Sequence, residues 1–266
     1  MATIIPLHFA HGNGFPSESY QELFDHLAPE FQVSYIPMVG HGNCPVTQNW
    51  GHLVDELIED IKKHHHAPIV GLGHSMGGVL MFMAACLQPQ LFRQIVLLDS
   101  PVPGLWRSWF LKMVKRCDLI HHFTPIERAR TRRVLFSHFE EAYDYFRNKP
   151  LFKNFTRKSL EYYIHYGLIE TEHGYVLRFD REIETQLYAT IPDNLYLYQK
   201  PPHLSASLIY SIYSELMNRF ELAAMKNRYG FELYPFHRGT HLFPFEYPEA
   251  AANEIKRVVA NIVNPH

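Results

Sequence analysis

Apolar residues follow two regular rhythms as far as Asp99 and lose them afterwards. Ile4 to Phe9, Gln32 to Ile36, Pro68 to Leu72 and Gln94 to Leu98 are short and mostly apolar. Such runs predict strands buried on both faces of a parallel sheet. Helical patterns lie between them. Ser17 or Ser19 can cap a helix through about Ala28, with Pro29 near its stop, and Trp50 to His64 places Leu53, Val54, Leu57, Ile58 and Ile61 at helical spacing. Gly78 to Leu87 is apolar on every side, which suits a buried helix. Alternation of this kind implies right-handed crossovers and a doubly wound sheet whose ligands bind beyond the carboxyl ends of the strands.

From Pro101 the alternation gives way to aromatic and basic residues. Leu105 to Val114, Ile126 to Phe139, Tyr143 to Arg147 and Lys158 to Tyr166 have helical patterns, and Tyr175 to Phe179 suits a short extended piece. This segment is expected to be a mostly helical insertion over the crevice. Pro192, Pro201 and Pro202 mark the return to the core. Leu204 to Tyr210 then predicts a strand, Glu215 to Tyr229 a helix, Phe231 to Tyr234 a last strand and Pro248 to Ile262 a closing amphipathic helix. The expected division is a core of residues 1–100 and 191–266 with a cap at 101–190.

Composition narrows the function classes. At 266 residues and 47% hydrophobic content the chain has ample material for a sizeable core, and a formal net charge of −2 argues against a protein built mainly to hold nucleic acid. The charge is uneven: Pro101 to Leu160 holds 13 Lys/Arg against 5 Asp/Glu, and the rest of the chain 12 against 22. Cys44, Cys86 and Cys117 are an odd number without close pairing, so reduced thiols and a cytoplasmic location are expected. The N-terminal stretch lacks a charged leader and a small-residue cleavage site, and no apolar run reaches the roughly 18 residues of a membrane span. The three histidines at 64–66 suit the C-terminal end of a helix, where the dipole favours positive or polar groups.

The stretch that carries chemistry is Ile69 to Leu87. A short apolar strand enters the turn Gly73-His74-Ser75-Met76-Gly77, and an apolar helix leaves it. A serine hydroxyl is a weak nucleophile until a base lies within hydrogen-bond reach and donors are aimed at the oxyanion formed on attack. A tight strand-to-helix turn lifts the hydroxyl clear of the sheet, where both can reach it.

His11-Gly12-Asn13-Gly14, Gly40-His41-Gly42, Gly73-His74-Ser75-Met76-Gly77-Gly78, the strand Ile95 to Asp99, and Gly239-Thr240-His241-Leu242-Phe243-Pro244 together resemble the α/β-hydrolase superfamily of the cap-bearing type. The resemblance covers both core segments and leaves the cap outside it. It implies an α/β-hydrolase fold: a mostly parallel, doubly wound sheet of about six strands with an inserted helical cap. Relatives commonly have two strands before the His-Gly loop, and this chain has room for one.

The resemblance further implies Ser75 as nucleophile and His241, in the loop between the last strand and last helix, as general base. The acid is implied a few residues after the strand Leu204 to Tyr210, at Glu215, although relatives carry glycine where Ser211 stands and aspartate where Glu215 stands. Asp99, after the strand that follows the nucleophile helix, is the alternative acid. The backbone N–H groups of Asn13 and Met76 would form the oxyanion hole, and His74 would shape the turn or line the pocket. The function implied is a serine hydrolase cleaving a carboxylic ester or related acyl bond of a small-molecule substrate through an acyl-enzyme, without a metal or organic cofactor. A thioesterase, a carbon–carbon bond hydrolase and a non-catalytic binding protein on the same scaffold are the other readings. These cap residues, Arg107, Lys112, Lys115, Arg128, Arg130, Arg132 and Arg133, are expected to form a solvated face; if some of them face the crevice, an anionic acyl carrier or phosphate-bearing substrate becomes plausible.

Overall fold

The structure is a computed structural model that describes residues 4–28, 30–42 and 45–263. Pro29, expected near a helix stop, and Cys44, expected as a reduced thiol, lie outside the described residues. The first half of the chain forms β1 (Ile5–Ala10), α1 (Gln21–Leu27), β2 (Phe31–Tyr35), α2 (Gly51–His64), β3 (Ile69–His74), α3 (Met76–Leu87) and β4 (Phe92–Leu98). A long excursion follows: α4 (Leu105–Arg116), α5 (Ile120–Phe123), α6 (Ile126–Arg130), β5 (Leu135–Phe136), α7 (Phe139–Arg147), α8 (Arg157–Gly167), β6 (Leu168–Thr171), β7 (Gly174–Leu177) and α9 (Arg181–Ala189). The chain then returns through β8 (Ser205–Ser211), α10 (Arg219–Tyr229), β9 (Glu232–Phe236), α11 (Phe243–Glu246) and α12 (Pro248–Val263).

Six strands pair in parallel in the order β2-β1-β3-β4-β8-β9. The chain starts at β1, steps outward to β2, then crosses back to β3 on the other side, so the order reverses between β1 and β3. Ligands of open α/β sheets bind beyond the carboxyl ends of the strands at such a reversal. Successive strand residues face opposite layers. Leu7, Phe9, Val70, Leu72, Val96 and Leu98 belong to one apolar layer with α1 and α12, while Ile95, Leu97, Ala206 and Leu208 belong to another with α2 and α3. Burying a side chain of this size stabilises by about 1.5–3 kcal/mol, which is why both faces of these strands are apolar.

Three local expectations are corrected. Neither Ser17 nor Ser19 caps α1: their hydroxyls donate to the carbonyls of Ile36 and Pro16, and residues 17–20 form a 3-10 turn first. The helix expected from Glu215 starts at Arg219, because Asn218 and Glu221 form a reciprocal capping box there. The helix expected over Ile126 to Phe139 stops at Arg130. Beyond it β5 pairs with β7, and β7 with β6, in a small antiparallel sheet. Among the described residues, no helix is long and apolar enough to cross a membrane.

Candidate active site

Ser75 follows β3 directly and opens α3, with a left-handed backbone (φ +53°) that a non-glycine residue adopts only when the surroundings impose it. Its N–H donates to the Leu98 carbonyl at the end of β4 (3.0 Å). The turn closes because Gly77 has no side chain: a Cβ there would collide with the Ala10 carbonyl at the end of β1. The loops after β1 and β3 therefore meet, and Asn13, Ser75 and Met76 line one cavity of about 760 Å³. Met76 N–H is the first of α3 and has no acceptor within that helix.

His241 arrives in the loop after β9, which is braced by the buried Glu246. That carboxylate accepts from Thr240 N–H (2.5 Å) and Thr240 Oγ1 (2.8 Å), and Gly239 beside it is left-handed (φ +68°). His241 Nδ1–H donates to Asp99 Oδ2 (2.8 Å), and its Nε2 accepts from Ser75 Oγ (3.0 Å). An acceptor at Nδ1 leaves the Nε2 lone pair facing the serine, the tautomer a general base requires.

The carboxylate on His241 is thus Asp99 rather than Glu215. Asp99 is fully buried at the end of β4 with φ +44°, and its Oδ1 accepts the Ser211 N–H (3.0 Å). Glu215 sits in an exposed stretch before Asn218, and no hydrogen bond joins it to His241. Ser211, where relatives carry glycine, donates its hydroxyl to the Gly239 carbonyl (2.6 Å).

His74 ties these loops together. Gly12 N–H donates to Tyr20 Oη (3.1 Å), whose O–H donates to His74 Nδ1 (2.7 Å). His74 Nε2–H is then left to donate to the His241 carbonyl (3.0 Å), and the two imidazoles stack at 4.8 Å between centroids. Burial holds His74 well below the usual histidine range, with the neighbouring His241 adding to the shift. A fixed neutral ring beside His241 contributes orientation without a competing charge. Tyr20 carries no signal in the sequence; at its position it reads as one more core aromatic.

The far wall of the cavity comes from the excursion between β4 and β8. Arg107, Arg128 and Arg132 line it, joined by Lys149, whereas Lys115, Arg130 and Arg133 pair with Asp193, Glu127 and Glu141. Arg107 is paired with Glu221, and Arg132 with the buried Glu184 (2.9 Å). Burial pushes the Glu184 carboxyl up, against the opposing pull of Arg132. Asn13 Nδ2–H donates to the Glu184 carbonyl (3.0 Å), so the loop after β1 is fastened to α9. Of the aromatics in the excursion, Phe146 and Tyr163 are buried, while Trp106 is 85% exposed.

Residues 9–254 match the model of the alpha/beta hydrolase family, and the chain belongs to that family. It is 31% identical over 106 residues to a type I acyl-CoA thioesterase of Penicillium brevicompactum, a match covering 34% of this chain and 24% of that protein. It is 28% identical over 91 residues to a pimeloyl-[acyl-carrier protein] methyl ester esterase of Yersinia pseudotuberculosis, covering 34% of each. The chain thus matches only a quarter to a third of the length of these relatives. Among solved structures, a peroxisomal alpha-beta-hydrolase of Saccharomyces cerevisiae superposes with a TM-score of 0.74 at 18% identity, over 100% of this chain and 79% of the other. An esterase of M. tuberculosis gives 0.72 at 17%, over 97% and 86%.

Proposed function

We propose that the protein is a serine hydrolase that cleaves a carboxylic ester or related acyl bond. The observation that carries this is the unbroken chain from Ser75 Oγ through His241 to Asp99 at 3.0 and 2.8 Å, with Ser75 and His241 lining a cavity large enough for a small acyl substrate. In this reading Ser75 attacks the carbonyl, His241 takes its proton and returns it to the leaving group, and Asp99 orients the imidazole and stabilises its charged form. Met76 and Asn13 N–H groups stabilise the oxyanion, and water admitted after the leaving group departs resolves the acyl-enzyme. Residues 101–190 act as the cap that walls the cavity and selects the acyl group. The free thiols of Cys86 and Cys117 suit a reducing compartment, and the cytoplasm is the location assigned.

A thioesterase acting on an anionic acyl carrier is the second reading. Arg107 and Arg132 are paired with Glu221 and Glu184, and Arg128 and Lys149 then leave the cavity wall net positive, which favours an anionic substrate. The relatives named above, an acyl-CoA thioesterase and an acyl-carrier methyl ester esterase, point the same way.

Labelling with a fluorophosphonate probe tests the chemistry. The parent is expected to label and Ser75→Ala not to; a folded parent that fails to label would leave a binding protein on a hydrolase scaffold as the better account. A panel of neutral esters, acyl thioesters and their anionic counterparts then separates the substrate readings. Charge reversal at Arg128 is expected to raise KM for the anionic members alone.

A further inference from the structure

Three side chains outside the cavity meet where the last turn of α2 lies over β1 and β2. His8 is fully buried on β1, facing α2 while Leu7 and Phe9 face the opposite layer, and Asp60 and His64 lie one helical turn apart on α2. The protons at this junction can be assigned. Ser34, the register partner of His8, has one hydroxyl proton, which goes to the Leu7 carbonyl (3.1 Å). Its oxygen must then accept from both His8 Nδ1–H (3.0 Å) and His65 Nε2–H (2.6 Å). His8 Nε2 is left with a bare lone pair, buried, pointing at a carboxylate oxygen of Asp60 3.3 Å away. Among the described residues neither atom has a well-formed hydrogen bond. Two acceptors facing each other in a buried place are costly unless something positive lies between them.

The spacing fits a divalent cation. His64 Nδ1 lies 3.4 Å from the same Asp60 oxygen, and the three ligand atoms all fall within 4.8 Å of one another. A tetrahedral zinc ion with bonds of about 2.0–2.1 Å separates its ligand atoms by about 3.3–3.4 Å, which matches both measured edges. Two imidazole nitrogens and one carboxylate suit zinc or a similar divalent transition ion rather than calcium or magnesium. The hydrogen bond from His8 to Ser34 fixes ring and tautomer, the support that metal-bound histidines ordinarily have. His64 is 41% exposed, which gives the ion an entry path and leaves its remaining position to water. His64 Nδ1–H donates to the Asp60 carbonyl (2.8 Å) when no ion is bound, so to take the ion the neutral ring gives up that bond and carries its proton on Nε2 instead.

We propose that His8, Asp60 and His64 form a zinc-type divalent metal site that fastens the end of α2 to the sheet, separate from the acyl chemistry. The test is titration of the metal-stripped full-length protein with Zn²⁺ alone by calorimetry, and with Co²⁺ as a spectroscopic reporter of coordination. One equivalent is expected to bind per chain, to raise the thermal midpoint, and to give the absorption of a four-coordinate nitrogen–oxygen site. His64→Ala and Asp60→Asn, both on the partly exposed side of the cluster, should keep the parent circular dichroism and weaken binding at least about tenfold; Ser34→Ala should weaken it by about tenfold. Absence of saturable one-equivalent binding in the parent would overturn the proposal. So would unchanged affinity in His64→Ala and Asp60→Asn, which would place the ion on other histidines such as His121 and His122.

Discussion

The ends of two neighbouring strands, β4 and β8, are each followed by a carboxylate, and only the one after β4 reaches the histidine of the last loop. At the end of β4 the chain turns left-handed at Asp99, whose backbone N–H donates to Ile209 of β8 (2.8 Å). Its side chain is fully buried between the Ser211 N–H and the His241 ring. At the end of β8 the chain runs through exposed turn residues, and Glu215 meets solvent. A left-handed aspartate costs roughly 1–2 kcal/mol of backbone strain, and charge-assisted hydrogen bonds of about 1.5–3 kcal/mol each offset it. β8 therefore contributes a donor that holds the carboxylate, and β4 contributes the carboxylate on His241. Proximity in chain order to the usual position does not qualify a carboxylate; burial with two converging donors does.

The comparison can be broken at several points. Ser75→Ala sets the ceiling: probe labelling should vanish and kcat should fall by roughly 10⁶, measured on whichever ester the parent turns over. Asp99→Asn keeps the shape but offers His241 the wrong partner, and kcat should fall by about 10³–10⁴ with little change in KM. Ser211→Ala removes the hydroxyl that reaches Gly239 and leaves that carbonyl and the Tyr213 N–H without it. A loss of about 1–2 kcal/mol in unfolding free energy is expected from denaturant titration, with a roughly tenfold lower kcat as the His241 loop loosens. Glu215→Gln should leave kcat within about twofold and stability within about 0.5 kcal/mol, as for a solvated surface group. A large loss in Glu215→Gln together with a mild one in Asp99→Asn would invert the assignment.

Much of this architecture is legible in the sequence, because the central strands are apolar on both faces and the helices between them keep a 3.6-residue period. Ser75 and His241 are legible for a different reason: each sits in a local signature, glycines around a strand-to-helix turn and Gly-x-His after the last strand. The carboxylate partner of His241 is not, since Asp99 and Glu215 both follow strands and only the folded sheet shows which one is covered. The small sheet in the excursion is hidden as well. Leu135 and Phe136 form a two-residue strand whose partners, Val176 and Tyr175, lie far along the chain, and no local period marks such pairing. Tyr20, Glu184 and Glu246 escape notice because their roles rest on contacts across the fold.

With the partner of His241 at the end of β4, Ser75 and Asp99 lie on one strand–helix–strand unit, and His241 alone comes from beyond β8. The turn after β8 is exposed at Ile212 and Tyr213 (45% and 63%). A backbone cut there would send two of the three groups to one fragment and the third to the other. On the proposed function neither fragment would hydrolyse anything unaided, so the protein would have the layout of a split reporter, in which turnover registers the meeting of two pieces.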